Sequence, residues 1–263
     1  MKNSTLTVSV VSHGQGVVLT PLLAQLSKLA DAVPLQVIVT ENLPRHPAAI
    51  GESAVRGYGF DFIANASPKG FGANHNAAFF RCSTSYFCVL NPDLVLAGNP
   101  FLPLTLQLAR QSGIAVPTIV SPDGVVEDSV RRLPTMTRLL GRAMTRRRGA
   151  KCPPDYPADM DVEVDWAAGM FMVFNSDVYR ELGGFDERFH LYCEDVDICL
   201  RSWLHGWPVV RLGNVKVIHD ARRDSHRQLR YLLWHLGSLF RLFTSAAYWG
   251  FRLRRMPTRK PIS

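Results

Sequence analysis

The strongest constraint on the fold is a rhythm in the first half of the chain, where short apolar, β-branched runs are separated by stretches of helical periodicity. "LTVSVV" (6–11), "LQVIVT" (35–40), "FDFIA" (60–64) and "YFCVL" (86–90) read as strands. Residues 16–31 and "GANHNAAFFR" (72–81) read as helices, and Asn99-Pro100 offers an N-cap and first-turn pair for a helix to Ser112. Strands alternating with helices predict an α/β fold with a mostly parallel, doubly wound sheet. Such sheets bind ligands beyond the carboxyl ends of their strands. Here those ends carry Ser12-His13-Gly14, Glu41-Asn42, Asn65 and Asn91-Pro92-Asp93, a polar set that suits a nucleotide.

The second half is less regular. Residues 121–163 are rich in Pro, Arg and Asp and read as loop, with a helix near 135–147. Residues 164–185 read as a strand, a helix with Ser176 as N-cap, and a Gly-Gly turn. A helix from Glu194 to about His205 follows, then the runs "PVVRL" and "VKVIH", ending at His219. Gln228 to Leu253 reads as one long apolar helix. Arg230, Arg241 and Arg252 recur every eleven residues, so they share one helical stripe and interrupt the apolar run. A bilayer span needs about twenty apolar residues, so this helix is expected to pack on its own domain, in a homodimer, or in a membrane interface.

Charge narrows the partners. The net charge is +8, yet residues 222–263 alone hold ten Lys/Arg against one acid, Asp224. Arg131 to Lys151 holds eight Lys/Arg and no acid, whereas residues 152–221 are acidic. Basic tracts of this kind point to nucleic acid, an anionic membrane or a phosphorylated substrate, and otherwise to a solvated face. The five cysteines lack CxxC spacing, which argues against a disulfide framework or structural zinc and for a reducing compartment. The start of the chain lacks a secretory apolar segment, because its run alternates with Thr and Ser; a cytoplasmic protein is expected.

Four motifs and one further histidine carry chemistry. "KGFGANHN" (69–76) fails as a dinucleotide fingerprint but reads as a Gly loop opening a helix. Asn74 and Asn76 sit near its positive end, either as a diphosphate-binding surface or as an ordinary turn into the helix. In "LNPDLVL" (90–96) an Asp follows an apolar strand, where a hard divalent cation finds an oxygen ligand; the bland alternative is a turn. "YCEDVDICL" (192–200) packs Glu194, Asp195 and Asp197 among apolar residues. A helix N-terminus explains one or two acids, but a carboxylate beside apolar surface also gains the proton affinity of a general base. His219 is a core histidine or a metal ligand, and "SVRRLP" (129–134) offers adjacent arginines of which only one points inward if extended.

In order along the chain, "VVSHG" (10–14), "TEN" (40–42), "KGFGANHN", "LNPD" (90–93), "SVRRLP", "WAAGMFMV" (166–173), "GGFDERF" (183–189), "YCEDVDICLR" (192–201) and "WHLGSLFR" (234–241) resemble family 2 glycosyltransferases of the GT-A fold. The specific resemblance is to bacterial O-antigen and lipid-linked rhamnosyltransferases. The resemblance implies a GT-A domain over 1–221, with a nucleotide-sugar half (1–120) and an acceptor half (121–221), and a basic helical tail over 222–263. It places the donor on Ser12, His13, Gly14, Glu41, Asn42, Lys69, Gly70, Phe71, Gly72, Asn74, Asn76, Asn91, Asp93, Arg131 and Arg132. Glu41 takes the position of the acid that reads the nucleobase. Asp93 matches the last residue of the metal-binding DxD motif, whose other members are replaced by Asn91 and Pro92; His219 completes the site for Mg²⁺ or Mn²⁺. Asp195 matches the catalytic base, Glu194 orients the acceptor or holds the loop, and Asp197 stabilises the helix start or pairs with Arg201. Trp166, Gly169, Tyr192 and Glu194 face the acceptor.

The implied reaction is inverting transfer of L-rhamnose from dTDP-L-rhamnose to a polyprenyl-diphosphate-linked sugar. The implied location is the inner face of the cytoplasmic membrane, against its anionic surface. Another nucleotide sugar, such as UDP-GlcNAc or UDP-galactose, and an inactive assembly subunit are the alternatives. A nucleic-acid-binding protein would have no use for an acidic crevice.

Overall fold

The computed structural model describes residues 5–14, 16–43, 55–220 and 229–254. Its elements are β1 (Leu6–Ser12), α1 (Gly16–Leu29), β2 (Leu35–Glu41), β3 (Gly59–Ala64), α2 (Phe71–Phe79), β4 (Tyr86–Leu90), β5 (Leu94–Val95) and α3 (Phe101–Arg110). There follow β6 (Ile114–Val120), β7 (Val130–Arg131), α4 (Met136–Arg147), β8 (Val162–Glu163), β9 (Trp166–Ala167), β10 (Phe171–Asn175) and α5 (Ser176–Glu181). The chain closes with α6 (Glu194–Leu204), β11 (Val209–His219), α7 (Leu229–Thr244) and α8 (Ala246–Leu253).

The main sheet runs β3-β2-β1-β4-β10-β6-β11-β5, with β8 on β11, while β7 and β9 form a separate ribbon. β3, β2, β1 and β4 are parallel, as the strand–helix rhythm predicts. β10 is inserted antiparallel between β4 and β6, and β6 is parallel to β11. The carboxyl ends of β1, β2, β3, β4, β6 and β11 therefore share one edge with the start of β10.

Period-two alternation builds a core on each face. Leu6, Val8 and Val10 of β1, Val37 and Val39 of β2, and Cys88 and Leu90 of β4 face α1 and α3. Ile38, Phe87 and Val89 face the other way, with Ala78 of α2, Tyr179 of α5 and the buried side of α6. The polar residues of β1 are buried and paired: Thr7 with Thr84 (2.8 Å) and Ser9 Oγ with His75 Nδ1 (2.8 Å).

Three expectations need correction. Ser176 is the first residue of α5 and not its cap; Asn175 holds that position and makes no capping bond there, its side-chain oxygen accepting from Gly113 N instead. "PVVRL" and "VKVIH" are one strand, β11, with a register shift between Leu212 and Lys216. The long C-terminal helix is broken at Ser245, whose hydroxyl caps α8 by accepting from Tyr248 N (3.1 Å). The break turns α8 onto α6, burying Tyr248 and Phe251, each side chain worth about 1.5–3 kcal/mol. The eleven-residue stripe does not survive it: Arg241 lies over Phe189 and Arg252 over Trp249. The Arg230 side chain and the basic residues of 222–227 and 255–260 lie outside the described residues.

Candidate active site

Along the shared edge the implicated residues form four groups. In the first, Glu41 is 2 % exposed and braces two loops: Oε2 accepts from Ser12 Oγ (2.8 Å), and Oε1 accepts from Gly14 N and Leu43 N (both 3.0 Å). Its carboxylate is engaged with the chain itself.

The second group is a relay of amides. Asn42 Nδ2 lies 3.1 Å from His13 Nε2 and donates to Lys69 O, while its Oδ1 accepts from Lys69 N and Asn65 Nδ2. Asn65 also donates to Asn74 Oδ1 (2.6 Å), and Asn74 Nδ2 donates to Gly70 O (3.0 Å). The loops after β1, β2 and β3 are thus tied to the Gly loop, with the exposed Lys69 side chain at its lip. Asn65, polar at a strand end, is a full member of this network.

Asn74 and Asn76 do not offer their amides to a diphosphate. Asn74 is buried and consumed by the loop, and Asn76 clamps a distant turn. Its Nδ2 donates to Phe185 O (2.9 Å) and Glu187 Oε1 (3.0 Å), and its Oδ1 accepts from Tyr179 Oη (2.7 Å) and Phe185 N (2.9 Å). The loop glycines are explained by close approach. A Cβ at Gly70 would lie 2.6 Å from His190 O, and one at Gly72 2.6 Å from Phe185 Cβ.

The third group joins Asp93, His219 and a residue the sequence reading missed, Glu127. Sheet pairing of Leu94 with His219, and the Asp220 N to Asp93 O bond (3.1 Å), fix the first two side by side. His219 Nε2 lies 3.3 Å from Asp93 Oδ2 and Nδ1 lies 2.8 Å from Glu127 Oε2. These carboxylates, Asp93 foremost, push the imidazole up to about 9. Asp93 Oδ1 is buried without a hydrogen-bond partner among the described residues. Among those residues no three His, Cys, Asp or Glu side chains are arranged to hold a metal ion. Asn91 is half-buried nearby, its N–H donating to Met170 O (2.8 Å).

The fourth group is built at the start of α6. Tyr192 and Cys193 both adopt positive φ (73° and 66°), a strained entry that turns the acids back toward the sheet edge. Asp195 is partly exposed; its Oδ2 accepts from Gly169 N (3.1 Å) and its Oδ1 from Val196 N (2.8 Å). Burial raises its proton affinity, while these N–H groups and the charge of Arg131 oppose the rise. Glu194 is buried with Oε2 unpartnered among the described residues, and desolvation plus the Asp195 charge push it well above the carboxylate range. Both carboxyls are thus held above the ordinary carboxylate range, and they titrate as a coupled pair. Asp197 pairs with Arg201 (2.7 Å), one of its two expected roles.

Raised in the fold, the Glu194 carboxyl favours folding fully below the ordinary Glu range, and that contribution is lost as pH rises toward its folded value. Glu194→Gln is expected to match the parent protein in acid and to exceed its stability at neutral and alkaline pH. Urea midpoints across that range test this, and parallel curves count against it.

The arginines separate. Arg131 pairs with Asp128 (3.0 Å) and lies over Trp166, whereas Arg132 is exposed, over Tyr156. Of the two, Arg131 is the one whose charge acts on Asp195, while Arg132, just past β7, is turned to solvent. Trp166 is buried, one face taken by Arg131 and Nε1 donating to Arg132 O (3.0 Å). Gly169 packs against Phe71, where a Cβ would lie 3.1 Å from the ring. Tyr192 meets His235 of α7 at 4.9 Å between ring centres. His190 meets Trp234 at 4.5 Å, and Ser238 Oγ donates to Leu191 O (2.8 Å). α7 thus lies directly on the loop that leads into the acids, and the contact is made by residues of "WHLGSLFR", which is the own-domain packing offered among its expected roles.

Comparison with known proteins gives the family and the fold. The rhamnosyltransferase WbbL of Escherichia coli K12 is 27% identical over 246 residues, covering 89% of this chain and 90% of its own. An N-acetylglucosaminyl-diphospho-decaprenol L-rhamnosyltransferase of Mycobacterium tuberculosis is 26% identical over 246 residues, covering 84% and 78%. Among solved structures, GalNAc-T7 with UDP, GalNAc and Mn²⁺ superposes with a TM-score of 0.59 at 14% identity, over 85% of this chain and 45% of that one. The Pyrobaculum calidifontis mannosyltransferase PcManGT with GDP-Man and Mn²⁺ gives 0.55 at 15%, over 90% and 64%. The chain thus spans under two thirds of either solved structure, and the shared fold is GT-A. The model of Glycosyltransferase like family 2 matches residues 4–232. With that match running over most of its length, the chain belongs to glycosyltransferase family 2 and is a glycosyltransferase.

Proposed function

We propose that this enzyme transfers L-rhamnose, with inversion, from dTDP-L-rhamnose to a sugar carried on a polyprenyl diphosphate during synthesis of a cell-surface polysaccharide. The chemistry rests on Asp195, a partly exposed carboxylate oriented by two backbone N–H groups on the same sheet edge as Asp93 and His219. The names of the two relatives support the sugar, and the decaprenol of the second supports the carrier. The acceptor hydroxyl gives its proton to Asp195, and its oxygen bonds to the anomeric carbon. The bond from that carbon to the diphosphate breaks, and the nucleoside diphosphate leaves from the opposite face.

The Asp93–His219 edge fits a divalent cation, Mg²⁺ or Mn²⁺. It presents an unpartnered buried carboxylate oxygen beside an imidazole nitrogen, and such ions accept one or two protein ligands when phosphates complete their shell. Bound there, the ion would neutralise charge growing on the leaving diphosphate. The amide relay and Lys69 frame the donor, while Tyr192 and Gly169 line the acceptor side.

A membrane role for the C-terminal helices is part of the same reading. Among the described residues no helix is long and apolar enough to cross a membrane. Leu232, Leu233, Leu236 and Phe240 (72 % exposed) of α7, with Trp249 and Leu253 of α8, nevertheless face outward beside exposed Arg241, Arg252 and Arg254. Apolar side chains rimmed by arginines suit an anionic lipid surface, each cation adding about 1 kcal/mol. Sedimentation with phosphatidylglycerol vesicles is expected to fall about tenfold in the triple variant L233E/L236E/F240E, and with rising salt. Equal sedimentation of variant and parent counts against it. Deleting the helices is a poorer test, because α8 covers α6.

The function itself is tested by offering dTDP-rhamnose, UDP-GlcNAc and UDP-galactose, each with Mg²⁺, Mn²⁺ or EDTA, and a membrane extract as acceptor source. Transfer from dTDP-rhamnose alone supports the proposal. Transfer only from a UDP-sugar replaces the donor, and no turnover of any donor by folded protein favours an inactive subunit.

A further inference from the structure

We propose that Glu127 is a positioning residue for His219: it holds the imidazole by Nδ1 so that Nε2 is presented, beside Asp93, to a divalent cation. The inference rests on the metal reading of that edge. A neutral imidazole carries one N–H, and the nitrogen that donates it decides which nitrogen keeps a lone pair. The shorter contact, 2.8 Å, is from Nδ1 to Glu127 Oε2, and the longer, 3.3 Å, is from Nε2 to Asp93 Oδ2. The two carboxylates sit on different ring nitrogens and so cannot converge on one ion. Asp93, with an unpartnered buried oxygen, is the one placed to share a ligand shell with Nε2.

The fold builds this arrangement from adjacent strands. β6 and β11 are parallel neighbours, with Val120 opposite Ile218. Just past Val120 the chain folds back through Ser121–Val126, closed by a Val120–Val126 bridge and a Ser121 N to Val125 O bond (2.8 Å). Glu127 N then donates to Ile119 O (2.8 Å), which sets Glu127 at the level of the β11 end. The neighbouring acid, Asp128, is occupied by Arg131 and Arg142, leaving the Glu127 carboxylate to His219. A carboxylate on the far nitrogen of a metal-binding histidine fixes its orientation and tautomer, and losing it weakens metal binding about 10–100-fold.

The test is a titration of Mn²⁺ alone into the full chain, read by loss of the free-ion paramagnetic resonance signal, with thermal unfolding as a check on folding. E127A is expected to weaken Mn²⁺ binding about 10–100-fold. E127D, which keeps the charge but withdraws the carboxylate by a methylene, should weaken it similarly. E127Q, whose amide oxygen still accepts from Nδ1, should recover most of the loss. In an H219A background, E127A should cost no more than about twofold, because its route of action is gone. Retention by E127D with loss in E127Q would mean that charge matters and position does not, which overturns the proposal. Penalties that multiply in the double variant would make Glu127 a ligand in its own right and also overturn it. Mn²⁺ binding by the parent protein with E127A unchanged removes the positioning role and leaves the metal reading standing. A parent protein that binds no more Mn²⁺ than D93A removes both.

Discussion

Asp195→Asn is expected to lower the rate of sugar transfer by about 10²–10⁴-fold, the usual contribution of a positioned general base, while leaving the fold intact. The amide keeps the size of the side chain, and one oxygen still accepts from Gly169 N or Val196 N. It cannot take the acceptor proton. The pH profile of the parent enzyme carries the same information. Burial raises the Asp195 pKa, so activity, which needs the ionised form, should disappear in acid at a higher pH than for an ordinary aspartate. A variant that transfers sugar within a factor of about three of the parent would remove Asp195 from the reaction and shift attention to Glu194.

Asn76→Ala should destabilise the protein by about 3–5 kcal/mol and lower its melting temperature by about 10 °C. One amide supplies two donors and two acceptor sites, and all four are used. Truncation strands Phe185 N, Phe185 O and the Tyr179 hydroxyl in the core, each costing about 1–3 kcal/mol. Asn76→Asp separates this from loss of packing, because it keeps the volume but sets an oxygen against Phe185 O. Both variants should fail to the same order. An Asp variant as stable as the parent would show that the turn at Gly183-Gly184 needs no donor there.

The residues explain why some of this was legible in sequence. β1 to β4 follow apolar alternation, and the polar residues at their ends arrive at one edge because parallel strands all point the same way. β6 was hidden by Pro117, which reads against an interior strand. It is tolerated because β10 pairs β6 only at Ile114 and Ala115, and because the register of β11 slips just opposite it. Asp93, Asp195 and His219 stood out as polar residues at element ends. Glu127 gave no such signal, because its position depends on the chain folding back after β6. Asn76 misled for a related reason: a polar residue near the start of a helix after a Gly loop suggests a ligand, and only the tertiary fold brings the 183–187 turn within its reach. The break at Ser245 was missed because apolar periodicity continues through it, and the direction of α8 is set by the surface of α6.

The closeness of Gly70 to His190 has one more consequence. Phe71 N donates to His190 O (3.0 Å), and no side chain separates the Gly loop from the segment that carries Tyr192 and, beyond it, the acids. On the proposed reading, the donor loop and the acceptor-side segment meet here backbone to backbone, as one wall between two sites. Ordering that wall from one side would then change the energy of ordering it from the other, and the affinities for the two substrates are expected to depend on each other. Linkage makes the effect mutual: the factor by which one ligand alters binding of the second is the factor returned to the first.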